Sequence, residues 1–554
     1  ADLSNISQTT IDALNAIQNT PWAVNKFVLS AVLKLQETGK NVGYNDKDTG
    51  DFETVIRFEK PEKPILGNLS TSTDMTESDW KDRNTQKRKL FQKYESQLGV
   101  YRSTQRIVDL ANEMSEYPVF YFPHALDFRT RIYPIPTDLT PQGNDLAKGL
   151  LRFARGMVLG EEGISWLGVM VATHFGYDKL SIADRFRKAS EPEFFAMLCR
   201  IVADPVKNKD WIQADAPLQF LAAANEFVNA CSLSNPHDFV SYLPGSLDGS
   251  CNGMQHLSIM TRDTVGATAT NCRAVKDRND LYQEVADRVY SKISKEAADG
   301  NSLAIEVLPR LLQASGRRKV VKRATMTQSY GVTEYGIAKF MIDDSHVDGL
   351  ENEWNSAKYL RDCIIAALDE TLQKGRALQG WFASMAIKCA EAGKPFKFDT
   401  PAGSTIIMSY YREEERRIKT LNTNFILYNK PRPTETQEQF YERVGLNIQK
   451  MKNSASPNVV HAHDAAHLQL TVVEMAKAGI HDFAMVHDSF GCHMSNVGKM
   501  RDILRQQIVN MYSGDYLQKF KDSVEKYSGI RIGSVPEMGD FDIDEILHSE
   551  YFFS

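Results

Sequence analysis

The chain contains few cysteines and no long apolar run. Its seven cysteines include no C-x-x-C pair, which argues against a zinc knuckle and for a reducing compartment with free thiols. The longest obvious apolar stretch, Ile164–Ala172, is shorter than the roughly 18 residues that a membrane helix needs, and no secretory signal is visible. We therefore expect no membrane partner. Ala1 in place of an initiator methionine indicates a processed or trimmed chain.

Three common motifs are missing as well: a G-x-x-x-x-G-K-[ST] phosphate loop, a G-x-G-x-x-G turn and a G-x-S-x-G nucleophile elbow. P-loop NTPases, Rossmann dehydrogenases and serine hydrolases therefore lose their usual sequence support. Excess positive charge is also missing, since 65 basic and 71 acidic residues give a formal net charge of −6. This balance does not exclude a nucleic-acid partner, because a local basic stripe decides that binding.

The composition that remains is ordinary for a globular protein, with 554 residues of which 42% are hydrophobic and 25% charged. The residue patterns predict helices within 4–38, 71–116, 149–240, 304–330 and 461–478, with Thr20 capping a second helix after Pro21. They predict short strands within 119–133, 243–248, 396–411, 483–486 and 489–492, and a loop over 41–64. The fold class predicted is helix-rich α+β with a small antiparallel sheet.

Two aspartates occupy predicted strand ends. Asp248 ends one strand and precedes a glycine-rich turn, and Asp488 follows His487 at the tip of a predicted hairpin. Carboxylates held rigidly in this way suit a hard divalent cation such as Mg²⁺. A turn former is the favoured interpretation of Asp488 taken alone, and Asp248 is equally well explained as an Asx turn that leads to a helix starting near Asn252. Both interpretations stay open on these residues alone.

A basic stripe is the strongest binding signal in the sequence. Five of the seven residues 317–323 are basic. On a helix, steps of four residues place Arg318, Lys322, Met326 and Tyr330 along one slowly winding stripe. Two cations and a phenol on one face suit a triphosphate with its sugar or base. A solvated basic helix with a core tyrosine is the alternative, and the stripe favours binding.

Two further segments carry charged or ligating side chains. Strand alternation would place Arg129 and Arg131 on the same side as Asp127, where they need an anion, either phosphate or Asp127 itself. His463 and His467 are four residues apart on a predicted helix, as in two-histidine zinc proteases. Aspartate follows the first histidine where those enzymes have glutamate, and no third ligand is evident. Ordinary hydrogen-bonded histidines are therefore the favoured interpretation.

Taken in chain order, these segments resemble the single-subunit DNA-dependent RNA polymerases of bacteriophages and mitochondria. The resemblance extends from about residue 15 to the end of the chain. The similar segments are Asp127–Tyr133, Pro141–Asp145, Lys148–Leu150, Asp248–His256, Arg318–Gly331, Pro457–Leu468, Val486–Gly491 and Ser549–Ser554.

The resemblance implies a right-hand polymerase fold. A thumb remnant and linker would occupy 1–115, and the palm would be split between 116–275 and 462–554. The fingers would occupy 276–461 and include a base-reading hairpin near 404–432. The family's large N-terminal part is expected to be absent here, and a separate polypeptide or accessory factor would replace it.

The resemblance also implies DNA-templated RNA synthesis by two-metal nucleotidyl transfer. Asp248 and Asp488 would hold two Mg²⁺ ions, with His487 supporting Asp488. Tyr330 and His461 resemble the pair that tests for a ribonucleotide and a paired base. Arg318, Lys322 and Arg323 would bind the triphosphate. Arg129, Arg131 and Lys148 resemble residues near the template and the nascent hybrid.

The implied partners are a DNA template, an RNA transcript and ribonucleoside triphosphates. A family A-type DNA polymerase is the nearest alternative, but that family usually has glutamate after its His-Asp pair, where this chain has Ser489. A catalytically silent nucleic-acid scaffold is the second alternative. The His487–Gly491 segment favours a bacteriophage origin and the host cytoplasm, whereas Arg318–Lys322 favours a mitochondrial origin and the matrix. The bacteriophage branch is preferred.

Overall fold

The structure is a computed structural model that describes residues 3–45, 52–64, 77–328, 331–412, 415–419, 424–428 and 434–553. Its α-helices are α1 Gln8–Gln18, α2 Lys26–Glu37, α3 Glu77–Met114, α4 Asp145–Gly149, α5 Gly160–Ala172, α6 Ile182–Ala189, α7 Pro192–Ala203, α8 Pro217–Cys231, α9 Asn252–Thr261, α10 Thr264–Ala269, α11 Leu281–Ala298, α12 Ser302–Val307, α13 Ala314–Gln328, α14 Glu334–Asp343, α15 Glu353–Thr371, α16 Gln373–Glu391, α17 Gln437–Val444, α18 Ile448–Lys477, α19 Val497–Tyr512, α20 Tyr516–Ser528 and α21 Glu545–His548.

The strands are short, and each described sheet is an antiparallel pair. The pairs are β1 Trp22–Val24 with β6 Leu151–Phe153, β2 Val42–Asn45 with β3 Phe52–Ile56, β4 His124–Leu126 with β5 Ile132–Pro134, β7 Met157–Val158 with β8 Val240–Ser241, β9 Pro244–Asp248 with β14 Ser489–His493, β10 Phe396–Asp399 with β11 Thr405–Met408, and β12 Glu415–Lys419 with β13 Asn424–Tyr428. The predicted helix-rich α+β class is confirmed.

Two sequence-based predictions near the N-terminus are wrong. The segment 41–64 contains the β2–β3 hairpin rather than only a loop, and its paired ends Val42 and Ile56 are buried. Asn25, not Thr20, caps the second helix, because its Oδ1 accepts the N–H of Val28 at 3.3 Å. The Thr20 hydroxyl instead accepts the N–H of Phe483 at 3.0 Å.

Helix α18 forms the centre of the molecule. It packs against α1, α9, α16 and α19, and most of its residues from Val459 to Gln469 are buried. The helix begins at Ile448, earlier than the predicted position 461, and runs through Pro457. Its length brings His461 and Asp464 beside the β4–β5 turn. This helix is therefore the scaffold against which the distant segments of the site are aligned.

Some predictions fall on residues that are only partly described. The β12–β13 pair lies within the hairpin expected near 404–432, and only its backbone is described. The apolar stretch Ile164–Ala172 lies in α5, and no helix in the described ranges is long and apolar enough to cross a membrane. The division into thumb, palm and fingers stays a prediction.

Candidate active site

Two carboxylates from distant parts of the chain meet at the end of the β9–β14 pair. Strand β9 alternates buried and more exposed residues, as a half-buried strand should, and ends at Asp248. Its last residue pairs with Ser489, which directly follows Asp488, and the Gly249 N–H donates to the Asp488 carbonyl at 3.3 Å. Burial and the Asp248 carboxylate both raise the pKa of Asp488. The two carboxylates are therefore close enough to repel each other.

The hairpin tip that carries Asp488 is tightly built. The backbones of Val486 and Ser489 bond reciprocally, at 2.9 and 2.8 Å, and His487 adopts a φ of 54° between them. Non-glycine residues with positive φ are uncommon in proteins as a whole, and those that occur are enriched at functional sites. The His487 ring packs edge-on against Tyr133 at 4.8 Å, and burial and Arg131 lower its pKa to about 4. His487 is therefore neutral near pH 7, and the support that it is predicted to give Asp488 stays a prediction.

This pair of carboxylates fits the predicted Mg²⁺ site. All of its donors are oxygens, and a divalent cation would remove the mutual repulsion that raises the pKa of Asp488. The described residues contain no group of three or more His, Cys, Asp or Glu side chains that could hold a metal ion. A cation bound between Asp248 and Asp488 would therefore need further ligands from water or substrate.

Asp127 to Arg131 form a turn between β4 and β5, so the prediction of a strand with alternating side chains is wrong. Asp127 Oδ1 accepts the N–H groups of Arg129 and Arg131, at 2.8 and 3.0 Å, and this competes with a strand ladder. Its Oδ2 accepts Arg129 Nε and Nη2 at 2.9 and 2.7 Å. The ion pair that the sequence offered as one interpretation of Arg129 is thus present.

The two arginines of this turn both reach helix α18. Arg129 Nη1 lies 2.6 Å from His461 Nδ1, and Arg131 forms a two-contact ion pair with the carboxylate of Asp464. Burial raises the pKa of Asp464, which is 1% exposed, and Arg131 opposes that shift. Nothing in the sequence marked Asp464 as the partner of Arg131, because the two residues are 333 positions apart.

Helix α13 presents its basic stripe to a cavity of about 290 Å³. Arg318 and Lys322 line this cavity together with Gly249 and Cys251, which follow Asp248 in the chain. Arg318 is held by Asp280, whose Oδ2 accepts its Nε at 2.8 Å. The cavity therefore connects the predicted triphosphate ligands with the carboxylate-bearing turn.

Other residues predicted on this helix have different positions. Arg323 pairs with Asp344 at 2.6 Å, lies over the Phe340 ring at 3.9 Å, and is not among the residues that line the cavity. Tyr330 lies outside the described residues, and Gly331 resumes the chain with a φ of 69°. The role predicted for Tyr330 stays a prediction.

The sequence analysis missed three further residues of this cavity. Lys179, Arg278 and Tyr282 line it alongside Lys322. Lys179 comes from a short turn after α5 and Arg278 from the irregular segment before α11, so neither belongs to a periodic pattern. A basic residue in such a segment gives no sequence signal until the chain folds.

Lys148 lines a second cavity of about 240 Å³. Asp248, Trp22 and His174 are also part of its lining. Burial and the Lys148 charge lower the pKa of His174 to about 4, so His174 is neutral there. Lys148 therefore lines the same cavity as the end of strand β9, and its predicted position near the nucleic acid stays a prediction.

His463 and His467 lie on α18 but are used by the core. His463 Nδ1 contacts the Val459 carbonyl at 2.6 Å and its Nε2 contacts the Tyr516 hydroxyl, so both ring nitrogens are engaged. His467 Nε2 contacts the Leu504 carbonyl at 2.7 Å. Burial lowers the pKa of each to about 4. This arrangement matches the interpretation as hydrogen-bonded core histidines rather than zinc ligands.

Comparison with known proteins gives a consistent result. A family model described as DNA-dependent RNA polymerase matches residues 157–530. The chain is 31% identical, over 99% of its length and 52% of the relative, to DNA-directed RNA polymerase 2, chloroplastic/mitochondrial, of Arabidopsis thaliana. It is 31% identical to DNA-directed RNA polymerase 3B, chloroplastic, of Nicotiana tabacum, over 99% of its length and 54% of that relative. A third similar protein, at 30%, is DNA-directed RNA polymerase 1, mitochondrial, of Nicotiana sylvestris, with 99% of this chain and 52% of the relative covered.

The chain spans about half the length of the curated relatives that it matches. These relatives carry organellar names, and the preference for the bacteriophage branch stays a sequence-based expectation.

Proposed function

The chain belongs to the family of DNA-dependent RNA polymerases, and on this premise we propose that it synthesises RNA on a DNA template by two-metal nucleotidyl transfer from ribonucleoside triphosphates. The observation that carries the proposal is the meeting of Asp248 and Asp488 at one strand end, next to the cavity that Arg318 and Lys322 line. Carboxylates beside a basic cavity suit a divalent cation together with a polyphosphate.

The residues of the chain divide the work by their chemistry. Asp248 and Asp488 would hold two Mg²⁺ ions, which when bound lower the pKa of the RNA 3′-hydroxyl and neutralise the leaving pyrophosphate. Arg318 offers a fork of N–H donors, already oriented by Asp280, and Lys322 adds a point charge. We assign triphosphate binding to these two residues, together with Lys179, which lines the same cavity.

The assignments of the remaining residues rest on the family resemblance. His461 and Tyr330 would contact the incoming nucleotide, and Arg129, Arg131 and Lys148 would lie near the template and the nascent hybrid. His487 would support Asp488. The resemblance also assigns Arg323 to the triphosphate, although its guanidinium pairs with Asp344 and does not line the cavity of Arg318 and Lys322.

The proposed partners are a DNA template, an RNA transcript, ribonucleoside triphosphates and a separate polypeptide or accessory factor. The proposed compartment is the host cytoplasm for a bacteriophage-encoded chain and the mitochondrial matrix for an organellar one.

The test is extension of an RNA primer on a pre-formed DNA template scaffold with Mg²⁺ and no promoter. Parallel reactions contain the four ribonucleotides or the four deoxyribonucleotides, and the Asp488→Asn variant is the control. The proposal would be supported if the wild-type chain extends the primer with ribonucleotides and the Asp488→Asn variant does not. Preference for deoxyribonucleotides would indicate a family A-type DNA polymerase instead. Scaffold binding without extension would indicate a silent nucleic-acid scaffold.

A further inference from the structure

In the turn between β4 and β5, one N–H group of the Arg129 guanidinium contacts Nδ1 of His461. Asp127 Oδ2 occupies Nε and Nη2 of Arg129, at 2.9 and 2.7 Å. The remaining terminal nitrogen, Nη1, lies 2.6 Å from His461 Nδ1. The guanidinium is therefore held on one side by a carboxylate and contacts the imidazole with the other.

This contact determines where the imidazole carries its proton. A guanidinium has donors only and stays charged in proteins, so His461 Nδ1 must act as the acceptor. A neutral imidazole with a lone pair on Nδ1 carries its proton on Nε2. Burial and the charges of Arg131 and Arg129 lower the pKa of His461 to about 2, which keeps the ring neutral. His461 is thereby a hydrogen-bond donor at Nε2.

The position of Arg129 is fixed by more than Asp127. Arg131, two residues later, pairs with Asp464 on the same helix as His461. Gln469 Nε2, further along that helix, donates to the Thr130 carbonyl at 2.8 Å. Thr130 has a φ of 65°, which is a costly conformation for a β-branched residue and persists only when its surroundings impose it. The residues that directly follow Arg129 are thus fastened to α18 by two further contacts.

We propose that Asp127 and Arg129 are positioning residues that fix His461 as the neutral imidazole with its proton on Nε2, so that it offers a donor, never an acceptor, to the substrate nucleotide. The inference rests on the proposed function, which assigns His461 to the nucleotide. A donor of this kind suits any of the four base pairs, because purine N3 and pyrimidine O2 place an acceptor on the minor-groove edge of every pair. The other tautomer would present a lone pair and repel those acceptors.

The direct test is the protonation of His461 in the intact chain. The protein is labelled with ¹⁵N in its 12 histidines, and the His461 signals are assigned by their loss in His461→Gln. We expect Nδ1 in the unprotonated range and Nε2 in the protonated range. In Arg129→Met, which removes the donor, the two tautomers should become mixed, and Arg129→Lys should restore part of the original pattern. A protonated Nδ1 in the wild type would overturn the inference.

The functional test asks whether Arg129 acts through His461. On the primer scaffold, Arg129→Met should lower kcat/KM for ribonucleotides by about tenfold, the size of one lost hydrogen bond to a charged group. In the His461→Gln background the same substitution should have little further effect. Arg273→Met is the matched control. Arg273 Nε lies 3.0 Å from a carboxylate oxygen of Glu545, so this arginine is also ion-paired, but its partner does not belong to the β4–β5 turn or to α18. Full additivity of the two changes would contradict action through His461.

A second variant covers the case in which Arg129→Met fails to fold. Asp127→Asn keeps an oxygen to cap the turn and removes the charge that holds Arg129, so it should also mix the tautomers. The magnetic resonance measurement needs no activity, and it therefore separates the two proposals. If the expected tautomer is observed but no RNA is synthesised, the proposed function is contradicted and the tautomer inference is not. If RNA is synthesised but Arg129→Met and Asp127→Asn change neither the His461 tautomer nor kcat/KM, the tautomer inference is contradicted and the proposed function is not.

Discussion

The backbone N–H of Gly249 donates to the carbonyl oxygen of Asp488 at 3.3 Å, and this single bond joins the two turns that carry the candidate metal ligands. The bond continues the ladder of β9 and β14 by one step beyond Asp248 and Ser489. The backbones that carry the two carboxylates are consequently positioned by strand pairing. A metal site proposed at this place would stand on rigid elements of the fold.

The two carboxylates should be indispensable for synthesis. Asp248→Asn and Asp488→Asn are each expected to reduce primer extension by at least about a thousandfold, because the charge that holds the cations is needed in the transition state. Scaffold binding and the circular dichroism spectrum should stay unchanged. The measurement is single-turnover extension with saturating scaffold. Retention of strong activity by either variant would contradict the assignment.

The basic cavity should determine nucleotide affinity. Arg318→Met and Lys322→Met are each expected to raise the KM for ribonucleotides by about tenfold, since a hydrogen bond to a charged group contributes about 1.5–3 kcal/mol. Lys319→Met is the matched control, because Lys319 is an exposed lysine on the same helix that does not line the cavity. Equal effects of all three substitutions would show that only overall charge matters.

The Arg131–Asp464 ion pair should show strong coupling. Their side chains are 13% and 1% exposed, so Asp464→Asn is expected to destabilise the protein by about 3 kcal/mol by leaving a buried cation without its counter-charge. Arg131→Met combined with Asp464→Leu should recover part of that loss. Denaturant unfolding of the single and double variants measures the coupling. Simple additivity would mean that the pair contributes nothing beyond its separate residues.

Glu226 should make stability depend on pH near neutrality. Burial raises its pKa to about 7, while Ser241 Oγ, at 2.5 Å, and the Tyr242 N–H, at 3.2 Å, oppose the shift. A carboxyl with a raised native pKa favours folding below its unfolded pKa of about 4.5 and loses that contribution as pH rises to 7.

The matched variant for this pH effect is Glu226→Gln, which cannot ionise. Its free energy of unfolding should exceed that of the wild type by up to about 3 kcal/mol at pH 8 and by little at pH 5. Urea unfolding at both pH values measures the difference. The same difference at both values would mean that Glu226 does not titrate in this range.

Local patterns predicted the elements that have strong periodicity. A strand was predicted within 243–248, and β9 Pro244–Asp248 is present there, with Gly245 and Leu247 buried between less buried residues. The helix start at Asn252 and the hairpin tip at His487 were predicted from turn chemistry, and both are present. Local composition gave a wrong prediction for residues 41–64. The many turn-forming residues there predicted a loop, whereas the segment contains the strands of the β2–β3 hairpin.

The turn at Asp127–Arg131 shows why alternation alone is insufficient. Charged and uncharged residues alternate there, but the Asp127 side chain accepts hydrogen bonds from the backbone N–H groups two and four residues later, and these replace the strand ladder. The identity of Asp127 allowed both outcomes, and the position of α18 decided between them through Arg129 and Arg131.

By itself the sequence determined the types of most elements and the chemistry available on each, because helix and strand periodicity, caps and turns depend on neighbouring residues. It also indicated the family through motifs whose order is a property of the chain. Only the tertiary structure decided which side chains come together: Asp248 near Asp488, Arg131 in an ion pair with Asp464, and Lys179 and Lys322 in the lining of one cavity. These contacts join segments far apart in the chain, and packing around α18 and the β9–β14 pair brings them together, a long-range effect that no local pattern encodes.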